Sequence, residues 1–152
     1  MKYNIKNVQR QARELLLRIF YSYDQKEDNL ESILNEYTRI KTIHPEVIKH
    51  AYNVISFFEK NKETVDNLIK SHLQKWRFER LGYIERAILR IAITELLILK
   101  ETNKEEDLMI KRIVLDALDL VECYTGSKES VKFINGIIGK VIREMFTHPY
   151  VY

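Results

Sequence analysis

Glycine and proline are scarce in this chain, four and two among 152 residues. A many-stranded β fold needs turn residues at short intervals, so their shortage argues against one and leaves an all-α reading in front. Cysteine is scarcer still: Cys123 stands alone and cannot close an intramolecular disulfide. No apolar run reaches the roughly eighteen residues that span a bilayer. The best candidate, "AILRIAITELLILK", is broken by Arg90, Glu95 and Lys100. The N-terminal "MKYNIKNVQRQARE" has no apolar core of the secretory kind, so the chain reads as cytoplasmic.

Chemistry-bearing motifs are missing too. His44, His50, His72 and His148 have no partners at metal-ligand spacing, and there is no CxxC, HExxH or GxxxxGK[ST]. Neither a metal, a cofactor nor a catalytic residue is expected. Cys123, with no histidine near it in sequence, reads as a small packed side chain.

What is present is charge separated along the chain. The net charge is only +3, yet residues 1–26 carry six bases against two acids, while residues 101–129 carry eight acids against four bases. Apolar periodicity supplies the rest, and it is helical. Val8, Ala12, Leu15, Leu16, Ile19, Phe20 and Tyr23 predict a helix over 7–24 with Asn7 as its cap. A second helix over about 28–40 buries Leu30, Ile33, Leu34, Tyr37 and Ile40. Pro45 opens a third, with Val47, Ile48, Ala51, Tyr52, Ile55 and Phe58 inward and "EKNKE" as a kink. The most apolar segment follows Gly82 and makes a central helix, then come one over about 108–124 and a last one capped by Ser127. Gly136 and Gly139 lie inside that last helix. Each costs about 1 kcal/mol relative to alanine, which suggests that another helix packs closely there. About 152 residues are enough for one domain.

Three constellations stand out. On the first helix Arg10, Arg13, Leu17, Tyr21 and Asp24 form one strip apart from the core stripe. Cations near a helix N-terminus oppose the dipole, and become sensible if a phosphate arrives between them. On the last helix Phe133 lies beside the stripe among Lys128, Lys132 and Lys140, either a stacking platform for an unpaired base or a core-margin aromatic. Glu95 interrupts the apolar face of the central helix near Arg80, Arg86 and Arg90, which favours a structural ion pair over catalysis.

Four stretches in order, "RQARELLLRIFYSYD" (10–24), "VDNLIKSHLQKW" (65–76), "RLGYIERAILRIAITEL" (80–96) and "ESVKFINGIIGKV" (129–141), resemble the NusB family of bacterial transcription antitermination factors. The resemblance implies an all-α fold of about seven helices in two small orthogonal bundles, about 1–75 and 76–152, forming one domain over 1–152. It implies a non-enzymatic adaptor on RNA polymerase that binds the single-stranded boxA element of nascent ribosomal transcripts together with NusE, a small-subunit ribosomal protein. By position, Arg10 and Arg13, with Lys6 and Gln9 beside them, are the expected RNA contacts. Phe133, Lys132 and Glu129 make a second RNA-proximal patch, and Tyr21 and Glu85, with Leu17, face NusE. Self-association into a homodimer is left open.

The chain departs from the family pattern in two places. Gln9 and Gln11 flank Arg10 where relatives often carry a run of arginines, so fewer charges should give weaker, less salt-sensitive binding. "VLDALDLVE" (114–122) lacks the asparagine or basic contact expected in that helix. A protein-binding helical module with weak or no RNA binding is therefore the alternative. The RNA-targeting domain of a ribosomal RNA cytosine methyltransferase shares the fold, and the chain length argues against it.

Overall fold

The computed structural model describes residues 5–26, 28–73, 78–104 and 106–146. The Lys6 side chain, Trp76 and the end of the "FTHPYVY" tail lie outside the described part, as does the expected division near residue 75. The described residues hold six α-helices and no strand: α1 (Ile5–Lys26), α2 (Leu30–Ile40), α3 (Pro45–Ser71), α4 (Tyr83–Glu101), α5 (Asp107–Thr125) and α6 (Lys128–Met145), with a 3-10 turn at Phe78–Arg80. α3 is broken at Asn61, whose backbone (φ −128°, ψ 22°) leaves the helical region within "EKNKE". Its amide donates to the Phe57 carbonyl at 2.9 Å, which steadies the bend. Counting the limbs of α3 separately gives seven helices.

Local chemistry sets the ends. Asn29 accepts from Ser32 N–H at 2.7 Å and Ser127 from Ser130 N–H at 3.1 Å, each satisfying a free amide of the first turn. Gly126 stops α5 in the left-handed region at φ 64°, which a side chain would resist. α1 starts before Asn7, which therefore sits inside the first turn rather than capping it.

α4 is the hub, packed against α1, α3, α5 and α6. From Ala87 to Leu96 every residue is buried, so the one-faced stripe expected for it becomes a helix covered on all sides. Among the described residues no helix is long and apolar enough to cross a membrane. Three residues expected in the core are outside it: Ile40, at the very end of α2, and on α3 Ile48 and Tyr52, while Val54 is buried on α3. Gly136 faces open space, so close helix packing does not explain it; Gly139 is buried.

Candidate functional site

α1 lies between α2, α3, α4 and α5, and this decides what its strip of residues can do. Arg13 is not open to a ligand. It is 4% exposed, and its guanidinium donates through Nε and Nη2 to Glu95 at 2.8 and 3.2 Å and through Nη1 to Asp116 at 2.7 Å. A buried guanidinium is stable only when its donors are met, and these two carboxylates meet them. Glu95 also lies 2.7 Å from His50 Nε2. Burial alone would raise the Glu95 carboxyl, but Arg13, with help from His50, holds it at about 2. The partner expected for Glu95 on its own helix is thus supplied by α1. Arg13 as an RNA contact is corrected to Arg13 as a structural clamp.

Arg10, one turn earlier, is different. Its Nη2 lies 2.7 Å from Asp119 Oδ2, with side-chain exposures of 28% and 57%. Nη1 has no partner. An exposed pair of this kind contributes about 0–1 kcal/mol and can be displaced by another anion. Gln9 is half-buried beside it. Asp116 and Asp119 belong to the "VLDALDLVE" segment, which thus supplies an acid to each arginine.

Leu17 is 1% exposed and belongs to the core, because α1 is covered on more than one face; it cannot present itself to a partner. Tyr21 remains half-buried at the surface, its ring 5.8 Å from that of Tyr83 in an edge-to-face pair. The Arg86 guanidinium lies 5.4 Å from the Tyr83 ring centre. Glu85 shares the first turn of α4 with Tyr83, and a methyl group at Gly82 would collide with its carboxylate. The carboxylate curls back over the helix start, the placement of a third-position acid near free amides. Tyr21 thus meets the first turn of α4, the turn that also carries Glu85, through Tyr83. Sequence reasoning passed over Tyr83; an aromatic at the first position of a helix, beside "GYIE", was its only signal.

On α6, Glu129 and Lys132 are exposed, and Phe133 is half-buried and packed against the core. Phe133 thus fits the core-margin description while keeping part of its ring at the surface. Cys123, expected to be packed, is exposed on α5, with Sγ 3.9 Å from Asp119 Oδ1. Among the described residues no group of histidine, cysteine and carboxylate side chains is arranged to hold a metal ion.

A sequence profile of the NusB family matches residues 10–143. The chain belongs to the NusB family. The transcription antitermination protein NusB of Persephonella marina is 34% identical over 138 residues, covering 88% of this chain and 92% of that protein. NusB of Aquifex aeolicus is 30% identical, covering 90% and 88% respectively. Among solved structures, the antitermination factors NusB and NusE in complex with double-stranded RNA give a TM-score of 0.78 at 26% identity over 91% of this chain and 98% of that one. T. maritima NusB gives 0.78 at 27% identity, covering 95% and 94%. In this NusB-family protein the N-terminal strip is divided: one arginine is sealed in the core and one is held at the surface by an exposed acid.

Proposed function

We propose that this protein is a transcription antitermination factor that binds boxA-type single-stranded RNA jointly with NusE and works as a non-catalytic adaptor on RNA polymerase in the cytoplasm. Membership of the NusB family carries this reading, supported by the likeness to a NusB that holds NusE and RNA. RNA phosphates meet Arg10, with Lys6 and Gln9 beside it, and a second contact forms at Phe133, Lys132 and Glu129 on α6. NusE docks on Tyr21, Tyr83 and Glu85. The whole chain acts as one domain, since α4 is common to the packing of both halves. Phosphate contacts fix position and salt dependence, whereas aromatic and amide groups give sequence preference.

The test is a titration of boxA-type RNA, single-stranded and as a duplex, with and without NusE at several salt concentrations, for wild type and Arg10→Ala. Weak binding alone, much tighter binding with NusE and a loss in Arg10→Ala are expected. If NusE adds nothing and Arg10→Ala changes nothing, the protein-binding module without RNA recognition is the better description.

A further inference from the structure

A cleft of about 350 Å³ opens between the N-terminal part of α1, α3, the end of α4 and the start of α5. Its lining includes the buried Arg13 and Glu95 with the half-buried His50, which form one network, and apolar side chains, Ile98, Leu99 and Met109 among them. Gln9, Asn53 and Lys104 stand at its polar lining. The donors of Arg13 are taken up by Glu95 and Asp116. The side-chain amides of Gln9 and Asn53, by contrast, have no partner among the described residues.

This combination selects its ligand. A phosphate entering the cleft would approach the ionised Glu95, whose charge is matched within the network rather than left for a guest. A neutral, flat group with donors and acceptors on its edge suits the cleft better: apolar walls cover its faces, and two free amides, each both donor and acceptor, meet its edge. A nucleobase is such a group, and its backbone phosphate would then lie on the outer side, where the exposed Lys104 carries positive charge. Only an unpaired base can leave its strand cheaply enough to enter.

Resting on the RNA-binding reading above, we infer that this cleft receives one unstacked base of single-stranded RNA, with Gln9 and Asn53 reading its edge. The site determines which position of the RNA is read rather than whether RNA is held.

The test is an abasic scan. A boxA-type oligonucleotide is prepared with a single abasic nucleotide at each position in turn, and binding is measured with NusE present for wild type, Asn53→Ala, Asn53→Trp and Arg10→Ala. Asn53 is exposed, so both of its variants should melt like wild type, and the tryptophan should cover the mouth. One position should lose affinity on the order of tenfold when its base is removed from wild type, in line with the usual worth of a bound base. That sensitivity should fall in Asn53→Ala and vanish in Asn53→Trp. 2-Aminopurine at the same position should change its emission with wild type and not with Asn53→Trp. A flat scan, or a sensitive position that persists in Asn53→Trp, overturns the proposal while leaving the RNA reading intact if Arg10→Ala still weakens binding. Adenosine and cytidine monophosphates form a separate arm: if they bind in the cleft while the scan is flat, it is a free-nucleotide site and the proposal fails. No RNA binding at all by wild type sinks both.

Discussion

Replacing Arg13 by alanine would leave Glu95 and Asp116 buried with their common partner gone, since all three side chains are at most 7% exposed. Breaking a buried pair by removing one member costs about 3–5 kcal/mol. Native stability of a single domain is about 5–15 kcal/mol, so this one change removes a large part of it. At about 2–4 °C per kcal/mol for this chain length, the melting temperature should fall by roughly 6–20 °C. The acid limb gives an independent measure. Glu95 is held at about 2 from an ordinary 4.5, a difference that corresponds to about 3 kcal/mol. Its folded value lies below its unfolded one, so this stabilisation is complete above pH 4.5 and is lost as pH falls towards 2. Circular dichroism melts from pH 7 down to pH 2.5 would show it, with Glu95→Gln losing part of the wild-type pH dependence in that window. If Arg13→Ala melts within about 2 °C of wild type at pH 7, the clamp reasoning is wrong. The same numbers govern how RNA titrations are read: a loss of binding in Arg13→Ala reports folding, and only Arg10→Ala reports contact.

Asp119→Asn should free the Arg10 guanidinium, raising RNA affinity about threefold and steepening its salt dependence, consistent with an exposed pair of up to about 1 kcal/mol. The gain should disappear in an Arg10→Ala background and be absent in Glu122→Gln, an exposed acid on the same helix; an equal gain there would mean general charge alone is at work. Tyr83→Ala removes the edge-to-face partner of Tyr21 and should weaken NusE binding two- to tenfold, as such pairs contribute about 0.5–1.5 kcal/mol; calorimetry with NusE checks it, and unchanged affinity would take Tyr83 off that surface. Gly82→Ala should push the flexible Glu85 carboxylate aside with a melting shift within about 2 °C; a NusE affinity equal to wild type would show that Glu85 placement is not what NusE meets.

The elements were legible because apolar spacing is a local property. α1, α3 and α4 follow from it, and the "EKNKE" kink falls where polar residues interrupt the stripe, at Asn61. Glu95 was legible halfway: a carboxylate on an apolar face needs a donor, but its donor lies 82 positions away on α1. A helical wheel places Arg13 and Leu17 on one strip and cannot say that α4 and α5 close over it. Cys123 misled for a related reason, since nothing local distinguishes a packed cysteine from one beside an exposed aspartate.

The two arginines of α1 also show why a motif does not distribute its roles evenly. Asp116 and Asp119 are three positions apart on α5 and therefore neighbours on its surface, yet one is 5% exposed and the other is in water. Each takes one arginine from α1. The buried pairing at Arg13 would cost about 3–5 kcal/mol to break, more than a single phosphate contact returns, whereas the outer pairing costs about 0–1 kcal/mol and yields to one. An incoming phosphate can therefore open only the outer pair. Arg13 keeps α1 in register against α4 and α5, so on the proposed reading Arg10 can exchange its acid for RNA without disturbing the core.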